Sequence, residues 1–331
     1  MKHIGIEFVA GLQPTEIVEA TKYAESLGYY SAWMAEGHGG DQFSILTACA
    51  VATDRILLGS GITVLFVRSA PTIAMAAASV DEYSKGRFIL GLASGHREMV
   101  ENEHGLKYRS PMQHIREYVN IIQTLIREGR VQHAGEVVNI QNFDLWFKPF
   151  RPKIPIYLGA VNPKMLRLCG EIADGVMLTH ITEDKAREAV NLIAEGAREA
   201  GRRPEDIDIS ALWGCSVSND RNVARNRYRD YLALYPIRLS RYRKLMSDAG
   251  FGPQIEAAVF EADQGDIQKA KDMIPDEMID QLGIVGTPED VRNRIDAYRE
   301  IGISHPILSP LVDEDSSMDQ TMETIQACAP G

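Results

Sequence analysis

The chain has 331 residues, a length that suits either two domains of ordinary size or one large barrel. Hydrophobic residues make up 45% of it and charged residues 24%, a composition that is typical of folded globular proteins and excludes a disordered chain. Acidic residues outnumber basic ones by 46 to 35, and the resulting net charge of −11 repels phosphate backbones, so we expect no nucleic-acid partner.

Cysteine usage and the N-terminal segment indicate the compartment in which the chain works. The four cysteines, Cys49, Cys169, Cys215 and Cys328, form no CxxC pair, so we expect neither a disulfide framework nor a thiolate metal site. The N-terminal sequence lacks the apolar core and cleavage site of a secretory signal, and no apolar run is long enough to cross a bilayer. We therefore predict a cytoplasmic protein with no membrane partner and no metal.

Short apolar runs alternate with longer amphipathic ones along the first half of the chain. The predicted strands are residues 3–9, 31–34, 55–64 and 88–93. The predicted helices are residues 14–27, 42–53, 71–83 and 111–127. Residues 130–153, which contain several aromatic side chains, are predicted to form a hairpin excursion.

The same alternation resumes in the second half. The predicted strands are residues 155–159, 175–179, 207–217 and 303–308, and the predicted helices are residues 163–172, 183–200 and 288–301. Residues 219–282 have the pattern of helices without a strand. Eight strands alternating with helices predict one (β/α)8 TIM-barrel domain over residues 1–331, with a helical insertion after strand seven. A doubly wound sheet is the alternative, but no GxGxxG follows the first strand and no GxxxxGK[ST] occurs.

In a (β/α)8 barrel the functional groups lie at the carboxyl ends of the strands, and this rule selects two candidates. Glu7 ends strand one within an apolar run, so it either faces the barrel mouth or forms an ion pair with a neighbouring strand. His38 follows strand two in a loop with three glycines, where the backbone can approach a planar ligand and an imidazole can move a proton. The alternative is a loop histidine without a chemical role.

The ends of strands five and six offer a place for an anion. Gly159 precedes the helix that begins at Asn162–Pro163, where free backbone N–H groups and the positive end of the helix converge. Thr179 precedes the next helix in the same way. We predict that these two strand ends anchor the phosphate of a cofactor.

Several segments together resemble the bacterial luciferase-like superfamily of flavin- and deazaflavin-dependent oxidoreductases. They are IGIEFV (4–9), YYSAWMAEGHGGD (29–41), RILLGSGIT (55–63), GRFILGLASG (86–95), PIYLGAVNPKMLRLCGEIADGVML (155–178) and GIVGTPEDVRNRI (283–295). Within the superfamily the chain is most similar to enzymes of the methylenetetrahydromethanopterin reductase type, which use coenzyme F420. The resemblance implies a (β/α)8 barrel with a helical insertion after strand seven, and coenzyme F420 or alternatively FMN as the cofactor.

The resemblance also implies site residues. The acid–histidine loop after strand two falls on Glu36 and His38, beside the reactive ring, and the strand-one glutamate of the reductases falls on Glu7. The strand-three bulge, often a non-prolyl cis peptide behind the deazaflavin, falls on Gly61–Ile62. The other cofactor-binding positions are Ser94 and Gly95 after strand four, Gly159 and Ala160 after strand five, and Thr179 after strand six.

Two positions depart from the pattern of the reductases. A glycine separates Glu36 from His38 where the reductases place Asp–His adjacent, and His96 stands where they carry an acid after strand four. These departures weaken the expectation of a methanopterin substrate more than they weaken the expectation of coenzyme F420.

The resemblance implies an oxidoreductase that transfers a hydride between the deazaflavin C5 and a small organic substrate. In this interpretation His38 donates or accepts a proton, and Glu7 and Glu36 are its electrostatic partners. One alternative is an FMN-dependent monooxygenase that uses reduced flavin and oxygen, and another is a non-catalytic flavin-binding barrel. Because the family commonly forms dimers, we expect a homodimer or a higher homo-oligomer.

Overall fold

A computed structural model describes residues 3–9, 11–234, 239–313 and 317–330 of the chain. The strands are β1 (Gly5–Phe8), β2 (Ser31–Met34), β3 (Leu57–Ser60), β4 (Thr63–Val64), β5 (Phe88–Ala93), β6 (Arg130–Ala134), β7 (Asn139–Asp144), β8 (Ile156–Gly159), β9 (Gly175–Thr179), β10 (Asp208–Val217), β11 (Ile284–Gly286) and β12 (His305–Pro310). The helices are α1 (Pro14–Ser26), α2 (Gln42–Ala52), α3 (Ala70–Tyr83), α4 (Pro111–Glu128), α5 (Pro163–Ile172), α6 (Glu183–Glu199), α7 (Arg221–Leu234), α8 (Ser240–Met246), α9 (Gly252–Asp263), α10 (Ile267–Asp272), α11 (Asp276–Leu282), α12 (Pro288–Ile301) and α13 (Ser317–Ala327).

A closed parallel barrel forms the centre of the fold. Its strands pair in the order β1, β2, β3, β5, β8, β9, β10 and β12, and β12 pairs with β1. β4 extends the pairing along β5, and β11 pairs with the carboxyl end of β10. The closure confirms the predicted (β/α)8 barrel, and the doubly wound alternative is wrong.

Alternation along the strands separates the barrel interior from the layer beneath the helices. On β1, Ile6 and Phe8 join the large core under the helices, while Gly5 and Glu7 face inward. A separate apolar cluster fills the barrel interior; it contains Trp33, Ile89, Tyr157, Met177 and Ile307. The interior is therefore packed below the carboxyl ends of the strands, and chemistry is confined to the opening above it, which we call the mouth.

A buried polar row closes the other end of the barrel. Ser31 Oγ lies 2.7 Å from His305 Nε2, and His305 Nδ1 lies 3.2 Å from Asp208 Oδ2. Trp33 Nε1 donates to Ser31 Oγ at 2.7 Å, so the Ser31 hydroxyl donates to His305 Nε2 and His305 Nδ1–H donates to Asp208. Tyr157 OH donates to the same carboxylate at 2.6 Å. Ser31 and His305 are fully buried, so this Ser–His–Asp row holds strands together rather than meeting a substrate.

Replacing His305 tests this polar row. His305→Leu removes the histidine that Ser31 and Asp208 both contact. We expect it to lower the free energy of unfolding by about 2–4 kcal/mol. The exposed His104 is a matched control, because His104→Leu should change stability by less than about 0.5 kcal/mol. Denaturant unfolding measures both variants. Equal stability of His305→Leu and the wild type would contradict the assigned role.

Acid should weaken the same row. Hydrogen bonds from His305, Ser304 and Tyr157 oppose burial and lower the pKa of Asp208 from 3.8 to about 2. The stabilisation is therefore complete above about pH 3.8 and is lost as the pH falls through about 2, which a pH series of the unfolding measurement detects.

The helical insertion is confirmed for the residues that the structure describes. Between β10 and β11 these residues form α7 to α11 and contain no strand, and residues 235–238 lie outside the description. Its helices pack around a core of their own, which includes Tyr228, Met246, Ile255 and Met278. We call these helices the insertion.

Three local features differ from the sequence prediction. Predicted strand three is broken into β3 and β4, because the chain turns at Gly61–Ile62 before it rejoins the sheet. The three-residue strand β11 and the C-terminal helix α13 were not predicted.

The predicted hairpin is confirmed, since β6 and β7 pair antiparallel. Within the described ranges, no helix is long and apolar enough to span a bilayer.

Candidate functional site

The barrel brings the predicted site residues to one opening. β1, β2, β3, β5, β8 and β9 run parallel, so the residues at their carboxyl ends surround the mouth together. The predicted residues in these positions are Glu7, Glu36, His38, Gly61, Ile62, Ser94, Gly95, Gly159, Ala160 and Thr179. Contacts within the mouth distinguish their roles.

Glu7 lies at the floor of the mouth, at the top of the packed interior. It is 1% exposed, and neither carboxyl oxygen has a hydrogen-bond partner among the described residues. A Cβ placed on Gly61 would lie 2.5 Å from Glu7 Oε1, so the glycine allows the carboxyl group to occupy this position. Burial raises the pKa of Glu7 well above its usual value, which favours the protonated form of the carboxyl group. No described side chain forms the ion pair that was the alternative interpretation.

Ile62, Ala93 and Gly159 form one wall of the mouth. The peptide bond between Gly61 and Ile62 is cis, as the resemblance implied. A Cβ placed on Gly159 would lie 3.1 Å from Ala93 Cβ and 3.6 Å from Ile62 Cγ2. Position 159 therefore has little room for a side chain. We call the apolar surface formed by Ile62, Ala93 and Gly159 the cradle, and its lack of polar groups suits a planar ring.

Glu36 and His38 have different partners, although they are only two residues apart in the same loop. Glu36 forms an ion pair with Arg68 and accepts a hydrogen bond from the backbone N–H of Val64 at 2.5 Å. His38 is 83% exposed, and its Nε2 lies 3.1 Å from Glu103 Oε2. The carboxylate that His38 contacts is thus Glu103, which follows β5, and Glu36 holds the loop after β2 to the segment after β3.

Ser94 is buried and connects the barrel to the insertion. Its Oγ lies 2.8 Å from Tyr108 OH, and Arg241 Nη2 donates to the same phenol oxygen at 2.7 Å. Gly95 has φ +65°, and a Cβ there would lie 2.8 Å from Val64 Cγ1, so only glycine fits this turn. The cofactor-binding roles of Ser94 and Gly95 stay predictions.

The proposed phosphate anchor lies at the starts of α5 and α6. Asn162 Oδ1 accepts the backbone N–H of Met165 at 3.0 Å, and Ala160 N–H donates to the carbonyl of Met177 at 3.2 Å. These two donors are already satisfied, so an anion would use other groups beside Gly159 and Thr179. The anchor stays a prediction.

Sequence reasoning missed a group of rings between the barrel and the insertion. The ring of Tyr242 lies 4.7 Å from that of His96 and 4.4 Å from that of His180. His180 Nε2 lies 3.2 Å from Tyr231 OH, and burial lowers the pKa of His180 to about 4. Both histidines lie near strand ends, and His96 also departs from the pattern of the reductases; these are the signals that the sequence offers. The described residues contain no cluster of metal-ligating side chains.

These features together define a parallel barrel with an apolar wall and a buried, unpartnered carboxyl group at its mouth. The cradle at Gly159 would be filled by a Cβ, and the unpartnered carboxyl of Glu7 faces the space beside Gly61. Both observations fit the deazaflavin or flavin ring that the resemblance implied.

Comparison with known proteins places the chain in a family. Residues 3–305 match the family model described as luciferase-like monooxygenase, and the chain belongs to this family. It is 32% identical over 319 residues to the 5,10-methylenetetrahydromethanopterin reductase of Archaeoglobus fulgidus, covering 94% of each chain. It is 31% identical over 305 residues to that of Methanolobus tindarius, covering 91% of each. The solved coenzyme F420-dependent tetrahydromethanopterin reductase of Methanopyrus kandleri superposes with a TM-score of 0.85 at 26% identity, covering 99% of each chain.

Enlarging Gly159 tests the cradle. Gly159→Val should weaken cofactor binding about 5- to 150-fold, because the added side chain would project toward Ala93 and Ile62 and occupy the surface that the cofactor would contact, at a cost of about 1–3 kcal/mol. Gly159→Ala should have a smaller effect of the same sign. Fluorescence titration measures the dissociation constants, and thermal unfolding controls for the fold. Unchanged affinity in a folded Gly159→Val protein would place the cofactor elsewhere.

Proposed function

We propose that this chain is an oxidoreductase that transfers a hydride between coenzyme F420 and a small organic substrate, as methylenetetrahydromethanopterin reductases do. The observation that carries the proposal is Glu7, a buried carboxyl at the floor of the mouth whose two oxygens have no hydrogen-bond partner among the described residues. Membership of the family and similarity to F420-dependent reductases over most of the chain support it.

The residues of the mouth would position the reactants and handle the proton. The bound deazaflavin supplies hydride transfer at its C5. Ile62 and Gly159 would hold the ring against one wall, and the packed interior below would exclude water from it. Glu7 would give a proton to the substrate or take one from it, since its carboxyl has no competing partner among the described residues.

His38 would pass protons between the floor of the mouth, where Glu7 lies, and solvent. Its side chain stands on the rim, exposed and hydrogen-bonded to Glu103, where an imidazole can exchange protons with water. Glu36, held by Arg68, would keep the His38 loop in place and contribute negative charge.

A cofactor titration tests the proposal. The purified protein is titrated with F420 and with FMN, each oxidised and reduced, and binding is followed by absorbance and fluorescence. We expect F420 to bind with a nanomolar-to-micromolar dissociation constant and FMN to bind far more weakly. Tight binding of reduced FMN alone would favour the monooxygenase, the alternative that the family description keeps open. F420 binding without turnover of any substrate in a panel would favour the non-catalytic barrel.

We also propose that the protein forms a homodimer through the outer faces of α2 and α3. α2 contains no charged residue, yet Val51 on it is 69% exposed, and Met75 and Tyr83 on α3 are 37% and 57% exposed. α3 carries one exposed charged residue, Glu82. Exposed apolar side chains on neighbouring helices are typical of an interface. Light scattering should give twice the monomer mass, and Val51→Glu should shift the protein toward monomer. A monomeric wild type would contradict this proposal.

A further inference from the structure

Arg241 differs from the arginines of α7 in what its guanidinium contacts. On α7, Arg225 pairs with Asp280 and Arg229 pairs with Asp276. Arg241, which lies on α8 and is half-buried, donates to the phenol oxygen of Tyr108, and no carboxylate of a described residue lies within ion-pair distance of it. A cation that is partly removed from water without a counter-charge is costly. Its environment is therefore suited to an anion that the protein does not itself provide.

His96 offers a second unused polar group beside Arg241. Its Nδ1 is buried and has no hydrogen-bond partner among the described residues. Burial and the positive charge of Arg241 lower the pKa of His96 to about 4, so the ring is neutral at neutral pH and can donate one N–H. The nearby carboxylate of Glu98 raises the pKa of His96 but does not outweigh these two effects. Glu98 itself accepts hydrogen bonds from the Oγ and N–H of Ser240.

The location of this pair connects it to the mouth. His96 lies three residues beyond the end of β5. Tyr242, next to Arg241 in the chain, packs against both His96 and His180. His180 directly follows Thr179 at the end of β9. The pair thus lies where the insertion meets the rim, next to the predicted cofactor positions rather than among them.

We propose that Arg241 and His96 form a subsite that binds an anionic group of the substrate, a carboxylate or a phosphate. The guanidinium supplies charge and paired N–H donors, and the imidazole supplies one further donor. The inference rests on the proposed function only in that the substrate enters through the mouth. Because Arg241 belongs to the insertion, the insertion would help to determine which substrates the protein accepts.

Histidine NMR tests the subsite in the full-length protein. The ring signals are observed with carbon-13-labelled histidine, and the His96 signal is identified by its loss in His96→Gln. Benzoate and inorganic phosphate are the anionic probes, and benzamide is the neutral probe of matched shape. We expect a saturable shift of the His96 signal with at least one anion and none with benzamide. Arg241→Met should weaken that binding at least about tenfold.

Two controls make the result specific. Arg225→Met, which removes an arginine with its own aspartate partners, should leave anion binding unchanged. Arg241→Lys keeps the positive charge but lacks the paired N–H donors of the guanidinium, so it should lose part of the affinity. Thermal unfolding confirms that each variant is folded.

The titration is repeated with F420 bound, and occupancy of the cofactor is read from its absorbance. Anion binding that persists in the F420 complex supports a substrate subsite, and the tighter probe distinguishes carboxylate from phosphate. Competitive displacement of the anion by F420 would assign the subsite to the cofactor and overturn the proposal. Absence of anion binding, equal binding of benzamide, or an unaffected Arg241→Met would also overturn it. Failure of F420 to bind would contradict the proposed function separately.

Discussion

Glu7→Gln should lower the rate of hydride transfer by about 10²–10⁴-fold while cofactor affinity changes little. The amide fills the same space but cannot exchange a proton, and a placed general acid or base contributes a factor of about this size. Single-turnover measurement of the deazaflavin absorbance change gives the rate without interference from product release. Glu7→Asp keeps an ionisable group but withdraws it from the floor of the mouth, and should recover only part of the rate.

The stability of Glu7→Gln provides an independent readout. Burial raises the pKa of Glu7, so the folded protein binds a proton that the unfolded chain releases above about pH 4.5. Wild-type stability therefore falls relative to Glu7→Gln as the pH rises from about 4.5 toward the higher folded-state pKa, and the difference then levels off. A variant that is slower yet at least as stable at neutral pH is the expected result.

Glu117 is a matched buried carboxylate for comparison. It accepts hydrogen bonds from the backbone N–H groups of Glu136 and Val138, and these bonds with that of Gln113 outweigh burial and lower its pKa to about 2. Glu117→Gln should lower stability and leave hydride transfer unchanged. If Glu7→Gln behaved in the same way, Glu7 would be a structural residue and the proposed proton transfer would be wrong.

His38→Ala should also lower kcat by about 10²–10⁴-fold, if proton exchange at the rim accompanies every turnover. Cofactor affinity should change much less, because the cradle at Gly159 and the ends of β8 and β9 would supply most of it. His38→Gln retains a hydrogen bond without proton transfer and should recover little of the rate. Single-turnover kinetics measure both variants.

The contact of His38 with Glu103 supplies the control for this prediction. Glu103→Gln removes the charge beside the imidazole but leaves the histidine in place, so it should alter the rate far less than His38→Ala does. A hydride-transfer rate within about threefold of wild type in His38→Ala, far below the general-acid range, would remove His38 from the mechanism.

The sequence alone determined the barrel and the location of the mouth. Strand and helix periods are local properties, so runs such as 88–93 and 163–172 match β5 and α5 residue for residue. The parallel order of the strands places all their carboxyl ends at one opening. This rule selected Glu7 and Gly159 without knowledge of any contact. The acid within the apolar run of β1 was visible as an anomaly because an unpartnered buried carboxyl is costly.

Only the tertiary structure decided which side chains meet. Glu36 and His38 are two residues apart, yet one pairs with Arg68 and the other with Glu103, because the segments after β3 and β5 approach different sides of their loop. Arg241 reaches Tyr108 across 133 residues of chain, since the insertion folds back over the mouth. Such contacts depend on barrel closure and on the packing of distant elements, and neither leaves a periodic pattern in the sequence.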